Sequence, residues 1–342
     1  MSASAAADGD PPAKPGAPPP GDHAGAKPGG APPIEVRGLV KRYGELTAVA
    51  GVDLTVNPGD VYGYLGPNGA GKTTSLRMML GLIRPTEGSV RLFGRDPMEG
   101  VRALDGVAGF VEAPTFYPYL SARRNLELLA AFDGGGAQGR IDQALDTVEL
   151  SSRAGDRVGG YSHGMRQRLG IAAALLREPQ LLLLDEPATG LDPAGMRDMR
   201  DLIRRLAGEG ITVLLSSHLL VEVEDLCNRV AIVRRGRVVY EGSLAGLRAT
   251  GDAEYHLRTS DPQATVAVCD RVDGIADVRR AGGDGFLLRA AESDVAALSL
   301  ALGSAGIAIL ELHSQRVTLE DIFLRLTEGE RPTTEPVLEA VS

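Results

Sequence analysis

Apolar and polar residues alternate along Ile34-Glu35-Val36-Arg37-Gly38-Leu39-Val40, a period of two that predicts a strand with one buried face. Shorter apolar runs at 52–56, 61–65, 89–93 and 107–111 read as further strands, separated by turn-forming stretches such as Asn57-Pro58-Gly59-Asp60. From about residue 113 to 177 the period becomes helical, with apolar residues at Leu126, Leu129 and Ala130 and again at Ile141, Leu145 and Val148. This predicts an inserted helical subdomain. Ser121 is the expected cap of its first helix, and Asp133-Gly134-Gly135-Gly136 the break. Leu181-Leu182-Leu183-Leu184 is then apolar at every position, as a central parallel strand covered on both faces must be. Helix and strand alternate beyond it, at 196–207, 211–215, 219–227 and 230–234, which predicts a doubly wound α/β sheet closed by 242–247.

The pattern then restarts. Segments 255–259, 264–272, 276–280, 285–289, 293–302 and 307–312 read as strand, helix, strand, strand, helix, strand, with a last helix at 319–326. They predict a small α+β domain of ferredoxin-like layout over 248–328. Residues 1–33 are almost entirely Ala, Pro, Gly, Asp and Lys and are expected to form a disordered tail, with a flexible tail at 329–342. No internal repeat is found.

Composition narrows the function classes. The 342 residues carry a formal charge of −9, which argues against holding nucleic acid through a general basic surface. Cys227 and Cys269 stand alone without paired spacing, so a reduced compartment is expected rather than a disulfide scaffold. No apolar run approaches the roughly 18 residues that span a bilayer. A membrane role would therefore come through a partner.

Candidate chemistry begins after the 61–65 strand. The loop is Gly66-Pro67-Asn68-Gly69-Ala70-Gly71-Lys72-Thr73-Thr74, and a helical run, 75–81, follows. Strand, glycine-rich loop and helix together predict a phosphate cradle. The glycines let backbone N–H groups face phosphate oxygens, the helix N-terminus adds its positive dipole end, and Lys72 reaches the β- and γ-phosphates. Thr73 holds the position of G-x-x-x-x-G-K-[ST] whose hydroxyl ligates Mg²⁺. Such a site needs carboxylates, and Asp185 and Glu186 stand at the end of the leucine run, where open α/β sheets place their ligands. Asp185 suits the metal, and Glu186 suits an attacking water. Ser216-Ser217-His218 ends the next strand, where an imidazole reaches a γ-phosphate or plays a structural part. Ser162, opening the helix that follows Tyr161, caps that helix; its N-terminus is equally suited to a phosphate held by another molecule.

In this order the stretches resemble the nucleotide-binding domain of ABC transporters, over residues 34–247. Residues 66–73 resemble the Walker A loop, Leu181–Asp185 Walker B, and Glu186 the catalytic glutamate. Ser162 and Gly164 match the signature motif, with His163 and Met165 replacing its usual Gly and Gln. Asp192 matches the D-loop, His218 the switch histidine, and Tyr43 the aromatic residue that stacks on adenine. Glu112 stands where the family has glutamine; its carboxylate is expected to hold Mg²⁺ or water. The resemblance implies an α/β P-loop cassette with a mixed sheet core, an antiparallel β subdomain and the inserted helices. It also implies ATP and Mg²⁺ as cofactors, and two copies sandwiching two ATP molecules between Walker A of one and Ser162, His163 and Gly164 of the other.

Glu112-Ala113-Pro114 and Phe116-Tyr117-Pro118-Tyr119-Leu120 resemble bacitracin-type and lantibiotic-immunity exporters. Thr318-Leu319-Glu320-Asp321-Ile322-Phe323 resembles the extension of daunorubicin-type exporter ATPases. These resemblances imply the ATPase subunit of a two-component exporter of an antibiotic, peptide or lipid-like drug. It would lie in the cytoplasm at the inner face of the cell membrane, touch the membrane only through a separate permease, and bind no nucleic acid. The permease contact is expected at Glu112 and Phe116 to Leu120, unless these aromatics are the subdomain's own core. The rival readings are a soluble ABC-type ATPase of DNA repair or translation, a P-loop kinase, and an ATP sensor governed by the C-terminal domain.

Overall fold

The computed structural model describes residues 30–132, 136–249, 254–281, 284–315 and 318–328. The expected tails lie almost wholly outside the described residues, and so does most of the glycine break at 133–136.

Ten residues of β1 (Ile34–Tyr43) pair antiparallel with β2 (Leu46–Val56) and β4 (Glu87–Leu92) in a three-stranded sheet. The alternation read from the sequence sends Ile34, Val36 and Leu39 inward, fully buried. A second sheet has the order β5-β6-β7-β3-β8-β9, built from β3 (Val61–Leu65), β5 (Val107–Phe110), β6 (Leu181–Asp185), β7 (Thr212–Ser217), β8 (Arg229–Arg234) and β9 (Arg237–Ser243). Its first five strands in that order run parallel, and β9 returns antiparallel to β8. The hydrophobic pattern does not single out β9, whose exposed and half-buried residues carry little apolar signal.

Strand β6 is buried at all five positions. Its leucines serve two cores: Leu182 and Leu184 pack with the helices, while Leu181 and Leu183 pack with the three-stranded sheet. The helix side comprises α2 (Ala122–Phe132), α3 (Ile141–Thr147), α4 (His163–Leu175), α5 (Pro193–Gly208) and α6 (Leu220–Leu226). The other side carries α1 (Lys72–Met79) and the antiparallel sheet. A doubly wound sheet would have helices on both faces. Here the apolar faces of β1, β2 and β4 also need cover, and they take one face of the central sheet for it.

After α7 (Leu244–Ala249) comes a four-stranded antiparallel sheet of order β11-β12-β10-β13: β10 (Glu254–Thr259), β11 (Ala276–Ala281), β12 (Gly285–Arg289) and β13 (Ile309–Gln315). Helices α8 (Pro262–Cys269) and α9 (Glu292–Ser304) connect its strands in the expected β-α-β-β-α-β order, and Tyr255, Leu257, Phe286, Leu288 and Leu298 form its own core. The last helix, α10 (Leu319–Glu328), packs elsewhere. Its Leu319 and Ile322 are buried in the helix-side core of the nucleotide half, with Phe323 and Leu326 against it. Sequence order groups this helix with the small domain, but its apolar stripe is matched to the larger half.

Leu183→Ala removes a side chain with no exposure between two packed layers and should cost about 2–5 kcal/mol of unfolding free energy. Urea denaturation checks this; a loss under about 1 kcal/mol would contradict a close-packed interlayer.

Candidate active site

Parallel register brings the site together. Leu65 is level with Ser217, and Asp185 with Ser216, so Gly66, Glu186 and His218 all leave the sheet at the same edge. Gly66 N donates to Ser217 O at 3.2 Å. Two glycines are sterically required here. A Cβ on Gly66 would lie 2.5 Å from Val233 O, and one on Gly71, at φ 100°, would lie 2.4 Å from Ala48 O. Pro67, Asn68 and Gly69 form an exposed tip, closed by Ala70 N donating to Pro67 O at 3.1 Å. Gly71 is the N-cap of α1 and brings no capping side chain. The first N–H groups of that helix, at Lys72, Thr73 and Thr74, thus have no side-chain acceptor at the cap, and they suit an anion.

Lys72 is 5% exposed and folds back over its loop, Nζ donating to Gly66 O at 2.8 Å and Pro67 O at 3.3 Å. It also pairs with Glu186 Oε1 at 3.2 Å. The other carboxylate oxygen, Oε2, accepts from Thr189 Oγ1 at 2.8 Å and lies 3.0 Å from His218 Nδ1. Glu186 takes φ 48°, a backbone conformation that a non-glycine residue holds only when its surroundings demand it. Burial pushes its carboxyl pKa up, but the Thr189 hydroxyl, Lys72 and His218 outweigh burial and hold it below the ordinary carboxylate range.

Asp185 is buried at 5% exposure and accepts from Ser216 Oγ at 2.5 Å, while Ser216 Oγ accepts from Glu186 N at 3.0 Å. Ser216 thus orients both carboxylate residues. Behind His218, Ser217 Oγ donates to the buried Glu222 at 2.6 Å, and burial raises the Glu222 pKa. Sequence reasoning gave no role to Ser216, Thr189 or Glu222. The available signal was Ser216-Ser217 immediately before His218 and a hydroxyl three residues beyond Glu186.

The remaining expected residues are dispersed around this centre. Ser162 caps α4, accepting from Met165 N at 3.2 Å. His163 Nε2 is 3.0 Å from Thr189 O, so the turn that donates to Glu186 also touches the start of α4. A Cβ on Gly164 would meet Leu191 at 3.5 Å. Asp192 caps α5, accepting from Gly195 N at 3.0 Å. Tyr43 is 47% exposed at the end of β1, with Lys41 Nζ 5.1 Å from its ring centroid. Glu112, at φ 70°, forms an ion pair with Arg77 in the last turn of α1. Its carboxylate is therefore engaged by Arg77 in this structure. In the aromatic run the two readings divide: Phe116 packs against the core, whereas Tyr117 and Tyr119 are 52% and 65% exposed.

The family model described as ABC transporter matches residues 49–189. Bacitracin transport ATP-binding protein BcrA of Bacillus licheniformis is 38% identical over 299 residues, 86% of this chain and 97% of that protein. Daunorubicin resistance ATP-binding protein DrrA3 of Streptomyces coeruleorubidus is 39% identical over 316 residues, 88% of this chain and 98% of that protein. The chain belongs to the ATP-binding subunits of ABC transporters. It is an ATPase, and the loop at residues 66–74 lies within the stretch that the family model matches. A solved ATP-binding cassette described as a dimeric post-hydrolysis state bound to ADP and Pi has a TM-score of 0.56 at 26% identity, covering 62% of this chain and 98% of that one. No helix among the described residues of this ABC subunit is long and apolar enough to cross a membrane.

Because the folded-state pKa of Glu186 is depressed, its ionised form stabilises the fold above the ordinary carboxylate pKa of about 4.3, and that contribution disappears as pH falls through the lower folded value. The melting temperatures of wild type and Glu186→Gln should therefore differ most near pH 6–7 and converge below about pH 4. A gap independent of pH would show that the Lys72, Thr189 and His218 contacts do not favour the carboxylate.

Proposed function

We propose that this ABC ATPase powers export of an antibiotic, peptide or lipid-like compound, as a homodimer seated on a separate membrane permease at the inner face of the cell membrane. One observation carries the chemistry: Glu186 sits between Lys72 and His218, at 3.2 and 3.0 Å, on the edge where three parallel strands end. The exporter reading rests on the relatives named for bacitracin transport and daunorubicin resistance, each matched over nearly its whole length.

Lys72 would exchange its Glu186 partner for the β- and γ-phosphate oxygens of ATP. That exchange frees Glu186 Oε1 to take a proton from the attacking water, while His218 and Thr189 keep Oε2 oriented. The ordering gives the ATP-free enzyme a closed-off base. Asp185 and the Thr73 hydroxyl offer hard oxygen donors that suit Mg²⁺, and Ser216 already fixes the Asp185 carboxylate. A bound Mg²⁺ supplies neutralisation of the phosphate charge. Tyr43, exposed at the end of β1, would stack on adenine. The N-terminus of α4, with Ser162, His163 and Gly164, would receive the γ-phosphate of ATP held by the second copy, and Asp192 would border that interface.

Lys72→Ala should lower ATP turnover by at least about 100-fold. Glu186→Gln should keep ATP binding, slow hydrolysis about 10²–10⁴-fold, and convert the protein to an ATP-dependent dimer by sedimentation. Normal turnover in Glu186→Gln would remove Glu186 as the base, and a persistent monomer with ATP would remove the sandwich. For coupling, Glu112→Ala should leave ATP hydrolysis near wild type and abolish drug resistance in a sensitive host carrying chain and permease together. ATPase activity that answers to nucleic acid or ribosomes, and not to permease-containing membranes, would replace the exporter reading with a soluble one.

A further inference from the structure

The small C-terminal domain carries a second cluster of ligating side chains, remote in sequence from every residue of the ATP site. In the pairing of β10 with β13, His256 stands directly opposite His313, and Arg258 opposite Glu311. Directly opposed residues on one sheet face bring their Cβ atoms to about 4.5–5.5 Å. The intervening residues Tyr255, Leu257 and Leu312 point into or pack against the domain core, so period two sends His256, Glu311 and His313 to the opposite face. There the two imidazoles stack with centroids 5.0 Å apart at 24° between planes.

From this arrangement we propose a divalent transition-metal site, suited first to Zn²⁺, formed by His256, Glu311 and His313. One donor atom from each of the three lies within 4.8 Å of the other two, a spacing that a single ion at about 2.0–2.2 Å from each ligand can draw together. Glu311 is already oriented for this. Its Oε2 accepts from Arg258 Nε at 3.2 Å, while Oε1 lies 3.5 Å from His313 Nδ1, so Arg258 steadies the carboxylate from outside, as ligating carboxylates commonly are. His256 Nδ1 is buried and has no hydrogen-bond partner, an orphaned acceptor or donor that coordination in this cluster would relieve by re-orienting the ring. The Glu311 and His313 side chains are 42% and 55% exposed, so the ion reaches the site from solvent and a water completes the fourth position. Two imidazoles and one carboxylate select late first-row metals over Mg²⁺, which takes oxygen ligands. The site is therefore chemically separate from Asp185 and Thr73. It clips β10 to β13, which closes the loop containing both helices of the domain.

The test uses the full chain, stripped with chelator and free of nucleotide, titrated with Co²⁺ and followed by its visible d–d absorption, with Zn²⁺ as competitor. One equivalent of Co²⁺ is expected to bind with a tetrahedral-type spectrum that Zn²⁺ displaces. His313→Ala and the milder Glu311→Gln should each weaken binding at least tenfold, and both should hydrolyse ATP with Mg²⁺ at the wild-type rate, which also reports that they fold. No stoichiometric binding by wild type, or equal binding by wild type and both variants, overturns the site.

Discussion

The structure depends on the register of three parallel strands. β3, β6 and β7 are adjacent in space although β3 and β6 are separated by more than a hundred residues of chain, and their paired positions end at one level. A shift of one residue in β6 would turn Asp185 from the buried Ser216 contact and invert the leucines between the two cores. Loss of that contact, and the entry of Gln180 or Asp185 into the apolar run, oppose such a shift. The four leucines of β6 are buried completely, two in each core, and so anchor the strand that carries Asp185.

On this frame the charges at the strand ends are arranged to depend on one another. Glu186 is shared by a lysine at the start of α1, a threonine after β6 and a histidine after β7, and Thr189 also reaches the N-terminus of α4 through His163. Lys72 and Glu186 would both be costly to bury alone. Paired at 3.2 Å, each offsets the other's burial. The His163 ring is seated on the Thr189 carbonyl at the start of α4. Glu112 has its charge met by Arg77. Both side chains thus have local partners.

The candidate site was legible in the sequence where its residues are contiguous. A phosphate cradle is a contiguous stretch whose glycines, lysine and threonine must stand in fixed spacing, and a carboxylate pair after four leucines is equally compact. The alternation of β1 and the apolar run of β6 also announced themselves, since burial on one face or on two leaves different periods. What the pattern missed is partly exposed or made by neighbours distant in sequence. β9 pairs with one strand alone and shows little apolar contrast. Ser216, Thr189 and Glu222 are ordinary residues whose roles come only from what the fold sets beside them.

The division between sequence and tertiary structure follows from that physics. By itself the sequence determined the glycine-rich loop, the carboxylate pair, the strand and helix order of the small domain, and the family, because each is written in short-range spacing or in hydrophobic period. Only the tertiary structure decided that an antiparallel sheet would cover one face of the central sheet and that α10 would pack on the larger half. It alone closed Lys72, Glu186 and His218 into one hydrogen-bonded centre, and set His256 against His313. Those are outcomes of register and packing between segments far apart in the chain, where the apolar faces that must be buried choose their partners by fit and not by order.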